Sequence, residues 1–176
     1  MDLLDFEAQG LYFDEPDAAG VKEMIAAAAE NYAAGEAELP LLKAYFLAPE
    51  SLNVLVALNR FYYYQHRLDD ALTATLKALA VIRPLINFPE DWRDLQVDHL
   101  NAVPAESLTQ VRLYLFTLKA IGFLNMRLNH LDLSQGIFEK LAGLDSKDRI
   151  GAKSLLELVI KRKGEDTHTI IGENHV

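Results

Sequence analysis

Ala37-Glu38-Leu39-Pro40-Leu41-Leu42-Lys43-Ala44 and Ala71-Leu72-Thr73-Ala74-Thr75-Leu76-Lys77-Ala78 lie 34 residues apart, and their alignment decides the fold. Ala37 pairs with Ala71, Leu42 with Leu76, Lys43 with Lys77 and Ala44 with Ala78. Glu36 with Asp70 and Leu47 with Val81 continue the register as conservative matches, and Pro49 falls one residue from register with Pro84. A period of this length is that of a helix pair. In such units small residues let two antiparallel helices approach, and large apolar residues fill the space between successive pairs.

Outward from this echo, the remaining chain also reads as helix. Val21, Met24, Ile25, Ala28, Ala29 and Tyr32 follow helical spacing, with Asp17 ahead as an N-cap and Gly35 behind as a terminator, so a first helix is predicted over about 18–33. A second spans about 38–48, with Pro40 in its first turn and Pro49 beyond its end. A third runs over about 50–65 and a fourth over about 69–83, opened by Asp69 and Asp70 and stopped by Pro84. Residues 84–104, broken by Pro84, Pro89 and Pro104 and containing Trp92, read as an inserted loop with one short helical turn. That tryptophan is expected to fold back on the body. Helices follow at about 105–128 and at 133–143, the latter with Asp132 and Gln135 spaced as a capping box. A last one, capped by Asp145 or Ser146, reaches about 163, where Lys161-Arg162-Lys163 suits a helix C-terminus. Residues 1–16 form an N-terminal arm, 17–163 a helical domain, and 164–176 a flexible tail.

The chain resembles the tetratricopeptide repeat family, whose pattern is a large residue, Leu-Gly, Tyr, Ala, Phe and Pro at fixed spacing. Leu55, Leu58, Asn59, Tyr62, Ala71, Thr75 and Ala78 follow that spacing, with Asn59 in the glycine place and Thr75 in the aromatic place. Leu118, Ile121, Gly122, Ser134, Phe138 and Leu141 form a further unit, with Asn125 where the tyrosine belongs. A degenerate first unit keeps Ala37, Leu41, Ala44 and Pro49. The resemblance implies an all-α solenoid of about three antiparallel helix pairs plus a C-terminal capping helix.

It also implies a peptide-binding concave face lined by the first helix of each pair. Carried over residue by residue, that face holds Lys22, Ala26 and Ala29 in the first unit and Asn53, Val56, Arg60, Tyr63 and Tyr64 in the second, with Tyr62 turned inward. In the third unit it holds Phe116, Lys119, Phe123, Met126 and Arg127. Lys22 stands where one subtype of the family begins a clamp for a terminal carboxylate, but Ala26 and Ala57 occupy the asparagine places that clamp needs.

Charge sharpens the expectation. The net charge is −9, and residues 1–38 hold ten acidic side chains against Lys22 alone. Such a chain repels phosphate backbones, which argues against nucleic acid as a partner. The inferred groove nevertheless collects Lys22, Arg60, Lys119 and Arg127, so it should favour a protein segment with apolar anchors and some negative charge. The absence of cysteine excludes disulfides and thiolate chemistry and fits a cytoplasmic compartment. No membrane span or signal peptide is expected, and the chain should be a monomer or a weak homodimer.

No phosphate loop, nucleophile elbow or zincin signature is present, so no catalytic residue and no cofactor are expected. His66 and His130 fall at turns between paired helices. His99, near Asp94 and Asp98, marks the one alternative of another class, a metal-binding bundle or enzyme. A helix there would put the two carboxylates on one face with His99 turned roughly 100° away. The leading expectation is a non-catalytic adaptor or chaperone, with a specialised secretion or complex-assembly chaperone as its variant.

Overall fold

A computed structural model describes residues 19–31 and 36–172, with side chains through residue 165. The proposed arm of residues 1–16, the capping Asp17, Tyr32 and Gly35 lie outside the described residues. The described chain is all-helical. Its α-helices are α1 (Val21–Glu30), α2 (Glu38–Leu47), α3 (Leu52–Tyr64), α4 (Leu68–Leu85), α5 (Val97–Asn101), α6 (Leu108–Arg127), α7 (Leu131–Leu144) and α8 (Lys153–Gly172). Short 3-10 turns at Trp92–Asp94 and Ala105–Ser107 flank α5. Among the described residues, no helix is long and apolar enough to cross a membrane.

The long helices pack in chain order: α1 on α2, α2 on α3, α3 on α4, α4 on α6, α6 on α7 and α7 on α8, with α1 also touching α3. Small residues sit where the sequence echo places them. Ala37, Ala44, Ala71 and Ala78 are all buried, as are Ser134 and Leu141 further on. Leu76 is half exposed whereas Leu42 packs partly buried against the core, so it is the alanines of the echo that are alike in burial.

A second recurrence, 63 residues apart, is visible in the backbone. After α3, the amide of His66 donates to Tyr63 O and that of Arg67 to Tyr62 O; after α6, Asn129 donates to Met126 O and His130 to Asn125 O. These are two copies of one Schellman turn, each with its left-handed residue at the same place, His66 at φ 55° and Asn129 at φ 64°. The pairs they join are bolted at equivalent sites. Asn59 Nδ2 donates to Ala71 O in the first, and Ser134 Oγ to Gly122 O at 2.8 Å in the second. Arg67 ties α2 to the first turn through Glu38 and Asp70, both at 2.7 Å, while stacking over Tyr62.

Several boundaries differ from the sequence expectations. Pro84 lies inside α4, whose last turn it does not break: the chain leaves by turn bonds from Asn87 to Pro84 O and Phe88 to Arg83 O, so few helical bonds remain to be lost there. Residues 86–107 are an ordered excursion. Ile86, Phe88 and Leu95 are buried, Phe88 meets Tyr114 edge-on at 5.0 Å, and Lys140 Nζ holds Leu95 O at 3.1 Å. Trp92 packs against the same core, near Gly136, with the Arg93 guanidinium 4.6 Å over its ring.

Asp132 and Gln135 form no capping box; both accept from Lys163 Nζ, because α8 lies against this end of α7. Arg162 caps the C-terminus of α6 through Met126 O at 3.0 Å, so the basic run serves a neighbouring helix end. Asp148, in place of Asp145 or Ser146, accepts the amides of Ala152 and Lys153 at the start of α8. The helix then continues past the expected end at 163 through Gly172, since one interior glycine costs a helix only about 1 kcal/mol.

Candidate functional site

Of the five α3 residues that the resemblance assigns to the groove, Val56, Arg60, Tyr63 and Tyr64 line one pocket with Phe116 of α6. Helix α4 closes its floor with Thr75 and Ala78. Arg60 and Tyr64 also border a second, open cleft of about 530 Å³, walled by Ile25, Ala28 and Ala29 of α1, Leu41 of α2 and Ala57 of α3. The first opening is small, about 40 Å³, and the two meet at Arg60 and Tyr64, so the groove across α1, α3 and α6 has its room on the α1 side.

Its surface is aromatic with cations between. Tyr63 meets Tyr64 edge-on at 5.8 Å and lies 6.1 Å from Phe123 across on α6. Arg127 reaches the Tyr63 hydroxyl at 3.4 Å, a long contact that leaves most of the guanidinium hydrogen-bonding capacity for other acceptors. Arg112 stands 5.5 Å over the Phe116 ring. No Asp or Glu occurs in α3 or α6, so the charged side chains of these two walls are all basic although the chain is acidic overall.

Of the residues expected on this face, Lys22, Ala26, Asn53, Lys119, Phe123, Met126 and Arg127 line neither opening, Phe123 and Arg127 standing beside the first through their contacts with Tyr63. Asn53 is buried in the first turn of α3, and Met126 is 2% exposed near the end of α6. Lys119 is buried, with Nζ bonded to Ile150 O at 2.7 Å, and burial holds its ammonium below the usual lysine range, partly offset by Asp148. It fastens the segment before α8. Lys22 is exposed on α1 and borders neither opening. Ala29 does line the cleft, whereas Ala26 does not.

The wall of α6 is instead Leu113, Phe116, Thr117, Ala120 and Leu124, a stripe at helical spacing rotated about 100° from the one that contains Lys119. Because α6 is enclosed by α4, α7 and the segment before α8, it is apolar nearly all round, and no polar face marks which side stays open. The contribution of Ile25 and Ala57 was readable in principle, since each stands one helical turn from an assigned residue, Ala29 and Arg60 respectively.

The described histidines serve local structure. His66 occupies the left-handed turn position, His130 Nδ1 pairs with Asn125 Oδ1 at 3.0 Å, and His99 Nδ1 accepts the amide of Gln96 at the start of α5. No group of three His, Cys, Asp or Glu able to hold a metal ion occurs among the described residues.

Over 165 residues, 94% of this chain, the sequence is 40% identical to the "Uncharacterized 19.8 kDa protein in nifW 5'region" of Azotobacter chroococcum mcd 1, of which it covers 92%. The chain belongs to the family of that protein. No family model matches it, and no solved structure matches it. Coverage of this extent includes α3, α4 and α6, so the groove lies within the shared part of the two proteins.

Proposed function

We propose that this chain is a tetratricopeptide-like helical-repeat protein that works in the cytoplasm as a non-catalytic adaptor or chaperone, binding a peptide segment of another protein in the groove across α1, α3 and α6. The observation that carries the reading is the convergence of Arg60, Tyr63, Tyr64 and Phe116 on a pocket that meets the larger cleft at Arg60 and Tyr64, with no carboxylate on its α3 and α6 walls. Ring faces offer contact area at small conformational cost, and guanidinium groups between them select acidic segments over basic ones. The recurring turns 63 residues apart and the chain-ordered packing favour a stack of helix pairs over an unrelated bundle.

The relative's name places it in the 5' region of nifW, which makes the nifW product one partner to try. The test is affinity capture from the native extract with the wild-type full chain and with Arg60→Glu/Tyr63→Ala. Proteins retained by the wild type and lost by the variant are the expected result. An identical set from both contradicts the reading.

A further inference from the structure

We infer that residues 1–18 of this chain are the resident occupant of the groove, so that a partner must displace them. This inference rests on the peptide-binding reading above and adds a regulation to it. The connection is direct: the chain passes from Ala19 into α1, whose Ile25 and Ala29 already wall the cleft. Reach is ample. Eighteen extended residues cover ~60 Å, while crossing from α1 over α3 to α6 takes two helix spacings of ~10 Å each.

The chemistry is complementary on both counts. Residues 1–18 contain six carboxylates and no base, and Leu11-Tyr12-Phe13 is followed at once by Asp14 and Glu15. The α3 and α6 walls present Arg60, Arg112 and Arg127 among aromatic rings. The apolar string fits the rings and the acidic string fits the guanidinium groups. Tethering supplies an effective concentration on the order of millimolar, so even a weak intrinsic contact keeps the groove occupied. An external segment then binds with an affinity reduced by the fraction of open groove.

The probe is a labelled synthetic peptide of residues 1–18, titrated against three full-length chains: wild type, Leu11→Ala/Tyr12→Ala/Phe13→Ala, and that triple variant with Arg60→Glu added. The expected result is binding to the triple variant about tenfold or more tighter than to wild type, with the gain removed by Arg60→Glu. Equal affinity for wild type and triple variant overturns the inference, as does no binding to the triple variant. In either of those cases the groove reading survives if the capture comparison still separates wild type from Arg60→Glu/Tyr63→Ala. If the peptide behaves as expected and the capture sets are identical, the segment occupies the groove and the external-partner reading fails. A photoreactive residue in place of Tyr12 gives an independent readout: a cross-link within one chain to α3 or α6 is expected, and a cross-link to a second copy overturns the inference.

Discussion

A Cβ built on Gly122 would stand 2.8 Å from Cε1 of Phe138 and 2.9 Å from Cγ2 of Ile137, so α6 and α7 meet at a distance only glycine permits. The equivalent contact in the preceding pair reverses the sizes: Asn59 fills the glycine place, and its amide bonds the small Thr75 where the other pair has Phe138. The same position in two helix pairs is thus filled by two volume-complementary solutions. Gly122→Ala is expected to destabilise the protein by about 1–3 kcal/mol in urea unfolding, with Phe138→Leu in the same chain recovering part of the loss. A neutral Gly122→Ala would show that the two helices stand further apart.

Trp92 anchors the excursion between α4 and α6 while remaining partly exposed. Trp92→Ala should cost about 2–3 kcal/mol, somewhat below the range of a fully buried aromatic, and leave groove binding unchanged. Unaltered stability with lost binding would instead make Trp92 a contact residue. Thermal melts and the capture comparison read the two effects separately.

Lys119 holds Ile150 O from inside the protein. In Lys119→Ala the amides of Ile150, Gly151 and Ala152 are expected to exchange faster with deuterium, because the segment before α8 loses its tether. The set of captured proteins should not change. Loss of capture without faster exchange would return Lys119 to the groove.

Tyr114 lies under Phe88, and burial pushes its hydroxyl up to about 12. The folded form therefore holds this proton more tightly than the unfolded chain, whose tyrosine titrates near 10. Its contribution to stability is complete below pH ~10 and is lost as pH rises toward ~12, an effect on the order of 2 kcal/mol. Tyr62 is shifted the same way, chiefly by burial and then by Glu38, and adds to the slope. Unfolding free energies across that interval should fall for wild type and fall less for Tyr114→Phe. Parallel curves would mean that the ring is solvated.

The helix order and the small-residue contacts are legible in the sequence because they rest on local periodicity and on volume. Ala37, Ala44, Ala71 and Ala78 mark close approach wherever they fall in a helix, and all four are buried. The rotation of a helix about its axis is a different matter. On α3, three consecutive tyrosines cannot share one face, and the buried Tyr62 leaves Tyr63 and Tyr64 to the opening. On α6 nothing of the kind exists, and Lys119, which reads as a groove cation, is turned to a backbone carbonyl 31 residues ahead. The course of residues 86–107 is equally hidden, since the long-range contacts of Phe88 and Leu95 hold it and its prolines suggest only interruption.

The most direct measurement places a photoreactive amino acid in turn at Tyr64, in the groove, and at Phe46, 84% exposed on α2 and bordering neither opening. Cells expressing each full-length chain are irradiated, and adducts are resolved by mass. Discrete adducts with another protein from position 64, absent from position 46 and lost when Arg60→Glu is added, are the expected result. Adducts from position 46 alone, or from position 64 regardless of Arg60→Glu, would contradict a peptide-binding groove across α1, α3 and α6.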